Sequence, residues 1–230
     1  MKNPIIDVII PAYNEERSIG KVIDDIPQHV VRHIIVCDNN SSDGTGQVAE
    51  DHGAVVVHAV KKGYGNACLT GMEYLKNLKQ SPDILVFIDG DYSDFPEQLP
   101  QVVNPIIDRD VDMVIGSRAL GHQERGAMEP HQRFGNWLAT YLIRKFYGYH
   151  FTDLGPFRAI KWRKLIALNM QDTNYGWTVE MQVKAAKQKL KTTEVAVNYR
   201  PRIGVSKVSG TIKGSVLAGQ KIIWTIFKYL

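Results

Sequence analysis

The sequence predicts an α/β fold built on a mostly parallel, doubly wound sheet with helices on both faces. Five short apolar runs, at 5–10, 33–37, 54–58, 84–88 and 113–115 with its flanks, are rich in Val and Ile and read as strands buried on both sides. Patterns with helical spacing alternate with them, at 16–26, 44–52, 64–78 and 96–107. Polar clusters follow three of the runs, at 11–15, 38–43 and 89–91, where an open α/β sheet holds its ligands.

The elements follow in order. The first run stops at Pro11, the second at Asp38. Asp43 precedes the second helical pattern and is expected to cap it, leaving Asp38 free for more than capping. The third run leads into Lys62-Gly63-Tyr64-Gly65-Asn66, a glycine-containing entry to a helix that lets the backbone approach an anion. Cys68 stands where a dinucleotide-binding dehydrogenase has its last glycine, which disfavours that class. The fourth run ends in Asp89-Gly90-Asp91, with Asp94 close by. Beyond a Gly-, His- and Glu-containing loop at 119–130, helices are expected at 134–147, 178–189 and 214–230. Strands are expected at 157–160 and 193–198, and a basic loop at 199–210.

A chain of 230 residues with 44% hydrophobic residues suits one large domain with a real core. Two cysteines, Cys37 and Cys68, form no disulfide framework and fit a reducing compartment. The N-terminus lacks the apolar core and cleavage site of a signal peptide, and no run is long enough to span a bilayer. Charge divides unevenly. Residues 1–115 hold 9 Lys+Arg and 18 Asp+Glu, a net of −9. Residues 116–230 hold 19 and 6, a net of +13. An acidic half suits a metal, and a basic half suits an anionic partner. The basic half carries no nucleic-acid-binding motif, so no nucleic acid is expected as partner.

Asp89 and Asp91 project to one side of a strand end, where two carboxylates can share Mg²⁺ or Mn²⁺. Such a cation neutralises the charge that builds on a diphosphate leaving group. Arginines suit a phosphate because a guanidinium fork meets two of its oxygens. Arg118 follows a strand, and Arg202 lies in the basic loop. Glu180 falls on a helix and reads as a structural partner or a base. Asp153 and Arg158 flank a Gly-Pro turn and are read as a pair. Trp137, Tyr141 and Phe146 are read as core. The terminal helix places Ile212, Val216, Ile223, Ile226, Phe227 and Leu230 on one broad face, with Lys213, Lys221 and Lys228 largely opposite. It is read either as packed on the domain or as lying on an anionic bilayer.

IIPAYNEE at 9–16, DNNSSDGT at 38–45, KGYGNA at 62–67 and DGDYSD at 89–94, in that order and spacing, resemble family 2 glycosyltransferases of the GT-A fold. The polyprenyl-phosphate (dolichyl-phosphate) glycosyltransferases are the most similar group. VIGSRALG at 114–121 and YRPRIGVSK at 199–207 extend the resemblance over nearly the whole chain. It implies a donor-binding half at 1–118, an acceptor-binding half of the same domain at 119–210, and a C-terminal amphipathic helix at 211–230.

The resemblance also implies roles. Pro11, Tyr13, Glu15, Asp38, Lys62, Asp89, Gly90 and Asp91 would bind the nucleotide-sugar donor. Asp89 and Asp91 would hold Mg²⁺ or Mn²⁺. Arg118, Arg133, Arg202 and Lys207 would meet the acceptor phosphate or the donor diphosphate. Asp91, Arg118 and Arg202 would carry catalysis. Relatives often have a glutamine ligand where this chain has Ser93, which leaves metal preference open.

The implied reaction moves a hexose from a GDP- or UDP-sugar to a polyprenyl phosphate with inversion. The implied place is the cytoplasm, peripheral at the membrane face. Two alternatives stand beside it: a hydroxyl acceptor with Glu180 or Asp94 as base, and a non-catalytic nucleotide-sugar binding module.

Overall fold

The computed structural model describes residues 4–204 and 212–230, apart from the side chains at 212, 213 and 215. The first half follows the expected alternation: β1 (Ile6–Ala12), α1 (Ile19–Asp25), β2 (His33–Asp38), α2 (Thr45–Asp51), β3 (Val55–His58), α3 (Tyr64–Lys76), β4 (Ile84–Phe87), α4 (Leu99–Arg109) and β5 (Met113–Ser117). The second half contributes α5 (Pro130–Tyr147), β6 (Arg158–Lys161), α6 (Trp162–Leu168), α7 (Trp177–Lys187), β7 (Thr192–Ala196) and α8 (Ile212–Lys228).

All seven strands form one sheet in the order β3-β2-β1-β4-β6-β5-β7. Only β6 runs antiparallel to its neighbours. Strand order reverses between β1 and β4, which opens a crevice at their carboxyl ends. Alternation along the strands divides the core. Ile9, Ile35, Leu85 and Phe87 pack under α3, α5, α6 and α7. Val8, Ile10, Val36 and Val86 pack under α1 and α4. Strands from both halves of the chain thus share a single sheet and core.

Several sequence expectations shift. α1 begins at Ile19, because residues 15–18 form a turn closed by Ser18 N–H on the Glu15 carbonyl at 3.0 Å. α5 begins at Pro130, because Glu129 and Gln132 make a reciprocal capping box. α6 was not expected, since it follows β6 with no intervening loop to mark it. Gly44, rather than Asp43, is the cap residue of α2, although the Asp43 carboxylate accepts the Thr45 amide at 3.1 Å.

The terminal helix divides its apolar face. Ile226 is buried against the core, while Val216, Ile223, Phe227 and Leu230 are exposed. Its packing is fixed by polar contacts as well. Tyr229 donates to Glu180 at 2.7 Å, and Lys221 pairs with Asp172 at 2.8 Å.

Candidate active site

A cleft of about 740 Å³ opens at the carboxyl ends of β1 and β4. Pro11, Tyr13, Glu15, Lys62, Asp89, Gly90, Asp91 and Arg202 all line it. Four motifs separated in sequence therefore meet at one place. Lys62 lies 5.6 Å from the centroid of the Tyr13 ring, making a cationic and aromatic corner.

Asp89 and Asp91 form the floor. Asp89 is half-buried and accepts a hydrogen bond from the Tyr64 hydroxyl at 2.9 Å. Burial raises its pKa, while Tyr64, Arg202, Arg118 and Arg158 oppose that rise. Asp91 is buried. One of its oxygens accepts from the Ser93 amide at 2.9 Å and the Ser93 hydroxyl at 2.5 Å. The other is paired with Arg202. Ser93 therefore serves as a fixed donor to Asp91.

The segment 199–203 is clamped onto the Asp89–Asp94 turn. Arg200 donates from its amide to the Ser93 carbonyl at 3.0 Å and from its guanidinium to the Tyr92 carbonyl at 2.8 Å. It also stacks over the Tyr92 ring, 3.5 Å from the centroid. The Ile203 amide donates to the Asp91 carbonyl at 3.0 Å. This clamp is what delivers Arg202 to Asp91. Sequence reasoning singled out Arg202 but not Arg200, whose carbonyl partners lie 106 to 108 positions away.

The glycine-containing entry to α3 has a use that sequence did not suggest. A Cβ on Gly63 would collide with the Thr173 carbonyl, and one on Gly65 with the Asp172 carbonyl. The Asn66 amide donates to Thr173 at 3.0 Å. These glycines admit the loop that carries Asn174 and Tyr175 to the cleft wall.

The remaining expected residues sit elsewhere. Asp38 is absent from the cleft lining: it accepts from the Ser41 amide at 3.0 Å and faces His58 at 3.2 Å. Asn39, one position on, lines the cleft and accepts from the Gly63 amide at 2.7 Å.

Arg118 lies behind the cleft wall, 4.9 Å from the ring centroid of Tyr199, which does line it. Its guanidinium grips Asp153 through two bonds of 2.8 and 2.7 Å. Burial pulls the Arg118 pKa down, but Asp153 outweighs it and lifts the pKa well above the ordinary guanidinium value. Asp153 thus pairs with Arg118 and not with Arg158, which instead donates to the carbonyls of Leu154, Gly155 and Thr178. Arg133 is exposed on the first turn of α5, outside the lining. Lys207 lies outside the described residues. Glu180 is sealed away from the cleft, accepting from the Gln171 and Asp172 amides and pairing with Lys184.

Asp94 stands apart. It is buried with no hydrogen-bond partner on either oxygen. Burial and the neighbouring Asp89 push its pKa up to about 7.

Among the described residues, no group of three or more His, Cys, Asp or Glu side chains could hold a metal. Two carboxylates at a strand end still fit Mg²⁺ or Mn²⁺, which bind through one or two carboxylates with substrate phosphates and water completing the shell. Arg202 already pairs with one Asp91 oxygen, so that carboxylate faces a cationic partner in this structure.

The sequence profile of glycosyl transferase family 2 matches residues 7–167, well over half of the chain. The chain belongs to glycosyl transferase family 2. This family 2 chain is 33% identical over 220 residues to an uncharacterized glycosyltransferase of Mycobacterium tuberculosis, covering 95% of this chain and 96% of that protein. It is 31% identical over 224 residues to the undecaprenyl-phosphate mannosyltransferase of Micrococcus luteus, covering 91% and 89%. Among solved structures it resembles glucosyl-3-phosphoglycerate synthase from Mycobacterium tuberculosis, in complex with Mn²⁺, UDP and glucosyl-3-phosphoglycerate. The TM-score is 0.77 at 22% identity, covering 98% of this chain and 80% of that one. The fold is therefore the GT-A fold of these enzymes, and the chain is a glycosyltransferase.

Proposed function

We propose that this chain transfers a hexose from a GDP- or UDP-sugar to a polyprenyl phosphate, with inversion at the anomeric carbon and dependence on Mg²⁺ or Mn²⁺. The observation that carries the reading is the meeting of Asp89, Asp91 and Arg202 on one cleft floor. Two carboxylates beside a guanidinium suit a bound diphosphate. Support for the acceptor comes from the 31% identical relative named for undecaprenyl phosphate. Support for the metal comes from Mn²⁺ in the glucosyl-3-phosphoglycerate synthase complexes.

In this reading Tyr13 and Lys62 take the nucleoside end of the donor, with Asn39 and Glu15 beside them. Asp89 and Asp91 hold the cation, which when bound neutralises charge on the departing diphosphate. The Tyr64 hydroxyl fixes the rotamer of Asp89, and Ser93 that of Asp91. The acceptor phosphate is already nucleophilic near neutral pH, so the site must position it rather than deprotonate it. One of its oxygens bonds to the anomeric carbon from the face opposite the diphosphate. The carbon–oxygen bond to the diphosphate breaks, and its electron pair leaves with the nucleoside diphosphate. Arg202 swings from Asp91 to phosphate oxygens as charge develops there, a role matched by its fork geometry. Arg118 acts through Tyr199 and the wall, as a positioning residue.

The hydroxyl-acceptor alternative needs a base at the cleft: of its two candidates, Glu180 is sealed away by Gln171, Asp172 and Tyr229, and Asp94 is buried outside the cleft lining.

Asp91→Asn keeps the Ser93 contacts but removes the charge. Transfer of labelled hexose to undecaprenyl phosphate is expected to fall roughly 100- to 1000-fold, as for loss of a charge-stabilising group in other enzymes. Near-wild-type turnover in the variant, or an unchanged rate in chelator, would refute the metal role.

A further inference from the structure

Helix α5 turns its aromatic side chains outward. Phe134 is 61% exposed, Trp137 57% and Tyr141 49%, although the sequence reading places Trp137 and Tyr141, with Phe146, in the core. They form a ladder with ring centroids 5.8 Å apart at each step. The opposite face of α5, through Ala139 and Ile143, packs on the domain, so the ladder is the helix's outer face. On α8, Trp224 is 52% exposed, with Lys221 and Lys228 at 4.7 and 5.1 Å from its ring. The two helices pack together, and Phe146 meets Phe227 edge-on at 5.2 Å.

Exposed aromatics clustered in this way mark a contact surface. Charge selects the partner. Residues 130–147 and 212–230 each hold three Lys or Arg and no Asp or Glu. Arg144 and Lys145 follow the aromatic ladder along the exposed side of α5. Aromatic rings flanked by basic side chains suit the interface of an anionic bilayer, with rings at headgroup depth and cations on lipid phosphates. Among the described residues no helix is long and apolar enough to cross a membrane, so contact of this kind is superficial.

The surface is also joined to the cleft. Glu129 and Gln132, the capping pair of α5, line the cleft within five residues of Phe134. Lys221 holds Asp172, whose carboxylate accepts the Asn174 amide at 2.8 Å, and Asn174 lines the opposite part of the wall.

We propose that the outer faces of α5 and α8 form one docking surface for an anionic lipid bilayer, which holds the cleft mouth at the membrane. The surface takes its purpose from the polyprenyl-phosphate reading but stands on separate observations, and the test keeps the two apart.

Vesicles of phosphatidylcholine with phosphatidylglycerol, containing no prenyl phosphate, probe the surface alone. The protein is expected to co-sediment with them, less so at high salt, and weakly with phosphatidylcholine alone. Trp162 and Trp177 are buried, so a blue shift of tryptophan emission on binding reports Trp137 and Trp224. The double variant Phe134→Ser/Trp137→Ser is expected to bind about tenfold or more weaker. Its melting temperature should be unchanged, since both side chains already face solvent. Arg144→Glu/Lys145→Glu should weaken binding to anionic vesicles and reduce its salt dependence.

Absence of binding to anionic vesicles, or wild-type binding by both double variants, would overturn the proposal. So would a concentration-dependent dimer that Phe134→Ser/Trp137→Ser dissociates, because the face would then join two copies. Transfer to undecaprenyl phosphate in detergent micelles tests the acceptor without any bilayer. Vesicle binding without that transfer would sink the acceptor reading and leave the surface standing.

Discussion

From β1 to β4, strands end in turns that carry polar residues into the cleft within a few positions, as with Tyr13, Glu15, Asn39 and Asp89. Beyond Ser117, the segments around the cleft are held by contacts between distant residues. Arg118 meets Asp153 over 35 positions, and Arg202 meets Asp91 over 111. The first region carries its chemistry on local geometry. The second depends on buried ion pairs and carbonyl contacts, so its share of the site is coupled to stability. Substitutions of the same chemical kind should therefore act differently in the two regions.

The largest contrast is expected at Asp153. It accepts the Arg118 amide and both arms of its guanidinium, and its own amide is held by Glu194 at 3.2 Å. Asp153→Ala leaves a buried guanidinium unpaired, which typically costs ~3–5 kcal/mol. Thermal denaturation should show a large fall in Tm. Asp38→Ala in the first region removes a turn contact and an exposed histidine partner, and should cost ~1 kcal/mol. Equal losses at the two sites would erase the distinction.

The same contrast explains what was legible in the sequence. Strands β1 to β5 could be read because each is a short Val/Ile-rich run ended by polar residues, and a parallel sheet forces the polar ends together. Asn39 was missed beside Asp38, and Tyr64 beside Lys62, since period-2 alternation fixes a strand and not which turn residue points inward. In the second region α6 follows β6 at once, so no loop marked it. The Arg118–Asp153 pair and the Arg200 clamp leave no local spacing to detect. The aromatic ladder of α5 has the spacing of a core face, and only the packing of Ala139 and Ile143 reveals that it points outward.

A smaller effect is expected where the regions touch. Asp94 bridges to Tyr199, and its carboxyl is pushed up to about 7, against an ordinary value near ~3.9. An acid whose folded pKa is raised binds more protons folded than unfolded between those values. Its contribution to stability is therefore present at low pH and is lost as pH rises through about 7. The loss amounts to at most ~1.4 kcal/mol per pH unit. Asp94→Asn cannot titrate, so its unfolding free energy, measured in chelator, should fall less than the wild type's between pH 5 and pH 7. Parallel pH profiles would mean that Asp94 is ionised and partnered in the folded protein.

The smallest effect on activity is expected at Glu180, and it separates site from scaffold most directly. Glu180 is fully buried on α7. Its oxygens accept from the Gln171 amide at 3.0 Å, the Asp172 amide at 2.7 Å and the Tyr229 hydroxyl at 2.7 Å, with Lys184 also at 2.7 Å. The pair with Lys184 lies within α7; the other contacts tie α7 to the end of α8 or to the loop before α7, and none reaches the cleft lining. Glu180→Gln replaces one acceptor oxygen by a donor facing backbone amides and removes the charge opposite Lys184. Loss of such charge-assisted bonds costs ~1.5–3 kcal/mol of stability. A residue that acts only by tying helices should leave kcat and the pH profile of transfer unchanged at temperatures where the variant is folded. A base for a hydroxyl acceptor would lose kcat by roughly 100-fold or more with KM nearly unchanged. Measuring kcat, KM and Tm on one preparation distinguishes these outcomes. A large loss of kcat with little change in Tm would return the hydroxyl acceptor to first place and require the loop at Asp172 to open toward the cleft.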